Sequence, residues 1–127
     1  MSKSIPRISV VCPNGGTTEV LSRTISLAGN TGVYQGLICA IKIVTPNFTN
    51  TITVTVSIYD KNGIKKWTQA SIAENSGATG TCYYPPWPGV PVESGEYIGV
   101  LPSGDPGGTG GTVTIDMEFI PDPFMRV

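Results

Sequence analysis

Apolar and polar residues alternate with a period of two along two stretches of this chain. Over residues 51–59, Ile52, Val54, Val56 and Ile58 alternate with Thr51, Thr53, Thr55 and Ser57. Over residues 112–119, Val113, Ile115, Met117 and Phe119 alternate with Thr112, Thr114, Asp116 and Glu118. Successive side chains of a strand point to opposite faces, so each stretch predicts a strand with one buried face and one hydroxyl- or acid-covered face. No stretch sustains the helical period over successive turns.

Between these strands, Asp60-Lys61-Asn62-Gly63 predicts a tight turn. Asp suits its first position, Asn its third, and Gly the left-handed conformation that follows. Residues 52–59 are therefore expected to fold back onto residues 64–69. Residues 37–45 read as a further strand, apolar on both faces apart from Lys42, as befits a central position. Residues 97–101 read as another, introduced by Ser94-Gly95. Weaker strand signals lie at 8–11, 20–27 and 79–84. About eight short strands separated by Gly/Pro/Asn-rich turns predict an all-β, single-domain antiparallel β-sandwich, jelly-roll-like in pattern.

No break in composition divides the chain, so residues 1–127 are expected to form one domain, with short arms outside the core at about 1–6 and 121–127. Pro85-Pro86-Trp87-Pro88-Gly89-Val90-Pro91 interrupts the strand pattern, because proline is barred from central sheet pairing. Residues 103–111, rich in glycine, read as a flexible hairpin tip before the last strand.

Composition narrows the function. Charged residues make up only 13% of the chain, about half the usual share, and 16 Gly and 11 Pro accompany abundant Thr and Ser. A formal charge of −1 lacks the electrostatic footprint of a nucleic-acid binder. Lys61, Lys65 and Lys66, the one local basic cluster, read as a solvated hairpin tip. Near-neutrality leaves little repulsion between copies, which suits a protein that lives in assemblies. Pro6 and Arg7 interrupt the apolar residues near the start, and no apolar run reaches the ~20 residues of a membrane-spanning helix. The expectation is a soluble protein made in a cytosol. Cys12, Cys39 and Cys82 are odd in number and widely spaced, so neither a disulfide framework nor a zinc site is indicated. Cys39 reads as a small core residue.

The chain contains no histidine. Ser-His-Asp triads, Cys-His pairs and His-ligated metals are thereby excluded, and the protein is read as non-enzymatic, with no catalytic residue and no cofactor. Glu93 and Glu96 flank a predicted turn and read as surface acids rather than a glycosidase pair. Asp116 and Glu118, with Asp105, contain the donor types of a calcium site but too sparse a set of acids, so no metal is assigned. The glycines at 104–111 lack the Gly-Lys-Ser/Thr and following helix of a phosphate loop. Tyr83, Tyr84 and Trp87, with prolines around them, form the candidate partner-binding cluster. Such aromatics stack on sugar rings, fill a partner's pocket, or fold back to cap the sandwich. Trp67 reads as core.

The order of these features resembles a known group. A Thr-alternating strand ends in Ile58-Tyr59-Asp60, a turn follows at Asn62-Gly63, and then comes Ile72-Ala73-Glu74-Asn75. Later, Leu101-Pro102-Ser103-Gly104-Asp105-Pro106-Gly107-Gly108-Thr109-Gly110-Gly111 leads into a Thr112-Val113-Thr114-Ile115 strand. Over roughly residues 36–120 this resembles the small β-sandwich structural proteins of tailed-bacteriophage virions, capsid decoration (cement) proteins among them. The resemblance implies a protein without cofactor, made in the host cytoplasm and located in the virion at the capsid surface. Its implied partners are the major capsid protein or other virion proteins and further copies of itself, as a homotrimer, with neither nucleic acid nor membrane. A tail, neck or fibre component fits the same features. A carbohydrate-binding module built on Tyr83, Tyr84 and Trp87 is the alternative of another class.

Overall fold

The computed structural model describes residues 3–22, 25–27 and 35–121. Nine strands run in the order β1 (Lys3–Cys12), β2 (Val20–Ser22), β3 (Gln35–Val44), β4 (Thr53–Tyr59), β5 (Lys65–Ala73), β6 (Thr81–Tyr83), β7 (Val90–Glu93), β8 (Tyr97–Pro102) and β9 (Gly111–Pro121), with no helix among the described residues. They form two antiparallel sheets. One has the order β1-β9-β3, with β6 and β7 both paired to the far side of β3; the other has the order β2-β8-β4-β5.

The alternating stretches form the predicted strands, except that Ser57 on the hydroxyl face of β4 is also buried, its Oγ 2.9 Å from Thr68 Oγ1. Val54, Val56 and Ile58 of β4 face inward, and so do Val113, Ile115, Met117 and Phe119 of β9. Ile41 and Ile43 of β3, Ile98 and Val100 of β8, and Ile8 and Val10 of β1 fill the space between the sheets. Each such side chain removed from water contributes roughly 1.5–3 kcal/mol, which makes this layer the main source of stability. The 60–63 turn forms as expected. Asp60 Oδ1 accepts the backbone N–H groups of Asn62 (2.8 Å) and Ile64 (2.9 Å), and Gly63 takes φ +86°.

Several expectations are corrected. Lys3–Pro6, assigned to an arm, belong to β1: Lys3, Ser4 and Ile5 pair with β9, Pro6 lies in the bulge between Ile5 and Ile8, and Ile5 is buried. At the other end Ile120 and Pro121 still pair with β3, and the rest of that expected arm lies outside the described residues. β7 was not anticipated at all. Its Pro91 is tolerated because β7 lies at a sheet edge, where no second neighbour needs its missing N–H. Among the described residues of the 20–27 signal, Val20–Ser22 is strand and 25–27 is not. Cys39 is not core: a bulge between Ile38 and Ala40 shifts the alternation of β3, leaving Cys39 half-buried with its thiol 3.5 Å from the Glu118 carbonyl oxygen.

Residues 103–111 are no hairpin tip, since they carry the chain from β8 in one sheet to β9 in the other. Nor are they loose. Asp105 Oδ1 accepts the N–H groups of Gly15 (2.7 Å) and Gly107 (2.8 Å). Asn50 donates its backbone N–H to the Pro106 carbonyl at 3.0 Å and its side-chain amide to the Asp105 carbonyl at 2.9 Å.

Candidate functional site

The residues carrying chemistry are distributed over the molecule rather than gathered. Among the described residues no group of three acids or cysteines is placed to hold a metal ion. Asp116, expected on the outer face of β9, is clamped by Arg7, whose Nε and Nη2 donate to its two oxygens at 2.9 and 3.0 Å. That hydrogen bonding, and then the carboxylate charge, pushes the Arg7 pKa further up. Asp105 is occupied with backbone N–H groups at the loop end of the sandwich, and those bonds hold its carboxyl below the usual range.

The lysine cluster also separates. Lys61 pairs with Glu93 at 3.3 Å, Lys65 lies over the Tyr59 ring, and Lys66 reaches Glu96 at 2.7 Å. Glu93 is held below its ordinary pKa, first by the Gln35 amide and then by Lys61. Glu96, expected on the surface, is almost wholly buried. It accepts Lys66 and the Glu93 backbone N–H. This spacing of acids therefore serves the join between β7 and β8.

A second polar–aromatic cluster was not anticipated from the sequence. Tyr59 donates its hydroxyl to Glu19, whose oxygens lie at 2.7 and 2.9 Å, and its ring stacks on Tyr97 with centroids 5.5 Å apart. Burial first, and the Glu19 carboxylate next, raise the Tyr59 pKa. Gly99 makes the arrangement feasible, because a Cβ there would overlap both the Glu19 carboxylate and the Tyr59 ring.

The aromatic segment at 83–87 divides by strand parity. In β6, Tyr83 stands opposite Ile41 and Cys82 opposite Lys42. Tyr83 accordingly turns inward and packs against the core, while Cys82 is exposed on the outer face. Beyond the strand, Tyr84 is 74% and Trp87 93% exposed. Trp87 sits in a turn closed by the Gly89 N–H on the Pro86 carbonyl at 2.8 Å, with a cis Trp87–Pro88 peptide. Prolines on both sides of Trp87 fix their own φ angles and limit how far the turn can rearrange. Gly89 lies against β3 at φ +114°, and a Cβ there would overlap the Ile38 carbonyl oxygen. Trp87 thus does not cap the sandwich; it projects into solvent from a braced turn. Trp67, read as core, is half-buried and packs against the core from β5.

Beside Tyr84, the outer face of the five-stranded sheet carries a shallow concavity of about 340 Å³. It crosses four strands, from Ser4 of β1 through Asp116 and Glu118 of β9 and Ala40 and Lys42 of β3 to Cys82 of β6. The small side chains of Ser4 and Ala40 leave room where larger neighbours would fill the face. Sequence pattern marked none of this, because the depression exists only once strands distant in sequence lie side by side.

No protein-family model matches the chain, and no curated protein matches it by sequence. Solved structures share its fold. A chain of the cyanophage Pam1 capsid asymmetric unit is 12% identical, with a TM-score of 0.56 over 93% of this chain and 83% of that one. A chain from the disulfide-linked pili of Bacillus endospore appendages is 14% identical over 96% of this chain and 88% of that one, with a TM-score of 0.48. A chain of the acid-stable capsid of Helicobacter pylori bacteriophage KHP30 is 9% identical over 96% and 95%, with a TM-score of 0.39. At these identities the likeness to the cyanophage chain establishes a common β-sandwich fold, and the two lower scores carry no argument.

Proposed function

We propose that this protein is a structural component of a bacteriophage virion, a decoration protein that binds the outer surface of the capsid and stabilises the shell. One observation carries the proposal: the fold likeness to a chain of the cyanophage Pam1 capsid asymmetric unit extends over 93% of this chain and 83% of that one. It agrees with the resemblance of residues 36–120 to tailed-phage decoration proteins. The chemistry is compatible, since the chain has no histidine and its acids at 93, 96, 105 and 116 are engaged in holding the fold. The protein acts by docking rather than catalysis. Its partners are the major capsid protein and further copies of itself, in a trimer or another closed assembly. A place in the tail, neck or fibres is the nearest variant of the same reading.

A ligand that binds only the assembled shell stabilises it in proportion to its affinity and concentration. Shells stripped of this protein should therefore melt at a lower temperature than intact shells, and purified protein added back should restore the difference. Equal melting of bare and recoated shells would count against a cement role.

The exposure of Trp87 and Tyr84 favours a second reading, a carbohydrate-binding module using both rings as a platform. Tyr83 drops out of such a platform because it faces the core. Glycan-array binding that disappears in Trp87→Ala would support this reading over the first.

A further inference from the structure

Trp87, 93% exposed, is the most exposed large apolar side chain among the described residues, and it is held out on a hydrogen-bonded, proline-flanked turn. The same chain carries the concavity on its outer sheet face, lined by Ala40, Lys42, Cys82, Tyr84, Asp116 and Glu118 among others. Trp87 does not line its own concavity. We infer that the concavity receives Trp87 of a second copy of this chain, so that copies join by a knob-and-hole contact.

Size and chemistry both fit. At about 340 Å³ the hole lies at the small end of ligand-sized pockets and has room for one bicyclic ring. A tryptophan buries roughly 150–250 Å² when docked and is among the residues that most often anchor interfaces. Within the hole, Lys42 offers a cation for the indole face. The Asp116 carboxylate supplies an acceptor for the indole N–H, since each of its oxygens takes one bond from Arg7 and keeps a second lone pair. Tyr84 supplies an aromatic wall. The incoming segment, residues 84–91, carries no charged side chain, so it meets the charged rim without like-charge repulsion. A net charge of −1 imposes little repulsion between whole molecules. Knob and hole are different surfaces, so the contact either pairs two copies reciprocally or runs head to tail, as a ring where the rotation closes and a filament where it does not.

The test uses purified protein alone, which keeps it separate from the virion proposal: self-association can fail while capsid binding stands, and the reverse. Sedimentation equilibrium up to about 1 mM, enough to half-populate even a millimolar contact, should show a concentration-dependent oligomer. Trp87→Ala should weaken it at least about 30-fold, the scale of an interface anchor. Ala40→Phe, which fills the hole from the solvent side of β3, should weaken it similarly. An equimolar mixture of the two variants should regain association, because one supplies an intact hole and the other an intact knob. With Trp67→Phe as background, Trp87 fluorescence should shift to the blue as the complex forms. A wild-type protein that stays monomeric throughout would overturn the inference. So would an oligomer indifferent to Trp87→Ala, or a mixture that fails to associate.

Discussion

Lys66 of β5 places its Nζ 2.7 Å from Oε2 of Glu96, although the two residues belong to different segments of the sandwich edge. The same Nζ donates to the Pro91 carbonyl of β7 at 2.8 Å. One side chain thereby ties an edge strand of the four-stranded sheet to an edge strand of the five-stranded sheet. The Glu96 side chain is 3% exposed and that of Lys66 26%, so loss of the lysine would strand a carboxylate in a nearly dry site.

Lys66→Met should therefore lower the unfolding free energy by roughly 2–3 kcal/mol. Glu96→Gln, which keeps an acceptor for Lys66 and for the Glu93 N–H, should cost less. Denaturant unfolding of both variants and their double mutant would measure the coupling directly. A Lys66→Met protein within about 0.5 kcal/mol of wild type would mean that the link behaves as an ordinary surface contact.

Asp105 gives the fold a dependence on acid. Its carboxyl is held low by the N–H groups of Gly107 and Gly15, so its contribution is fully present above the unfolded-state value of about 3.9. That contribution is lost as the pH falls through the lower folded-state value. The difference in melting temperature between wild type and Asp105→Ala should accordingly be constant above about pH 5 and shrink below about pH 4. Asp105→Asn, which retains an oxygen for both N–H groups, should fall between the two. A gap that persists unchanged at low pH would contradict this assignment.

Gly89 fixes the turn that presents Trp87. At φ +114°, with the Ile38 carbonyl directly against it, alanine is both strained and obstructed. Gly89→Ala should cost roughly 1–3 kcal/mol and loosen the pairing of Val90 with Ile38. Amide hydrogen exchange would show this as faster exchange in β7, with β4 and β8 unaffected. Unchanged protection at β7 would show that the turn does not depend on that glycine.

The sequence made the centre of each sheet legible, and the edges much less so. In β4 and β9 a strict period of two coincides with a half-buried face, and both strands formed as predicted. β3 has an apolar run with no parity to read, so the bulge that turns Cys39 outward left no trace in the pattern. Prolines misled at both ends of the first sheet. Pro6 closed the stretch read as an arm and Pro91 the stretch read as interrupting the strands, yet both sit in edge strands that spare them a second neighbour. Within the aromatic segment, the opposite facing of Tyr83 and Cys82 was readable from strand parity once β6 was assigned. The projection of Trp87 was not, because it depends on a turn braced against β3 from far along the chain. The concavity was likewise hidden, being assembled from β1, β3, β6 and β9.

Copy number in the particle tests the decoration proposal most directly. Quantitative mass spectrometry of purified virions from the source, scaled to the major capsid protein, should find this chain at close to one copy per capsid subunit or another fixed fraction of the lattice. A handful of copies per particle, as tail, neck or fibre parts have, or none at all, would contradict it.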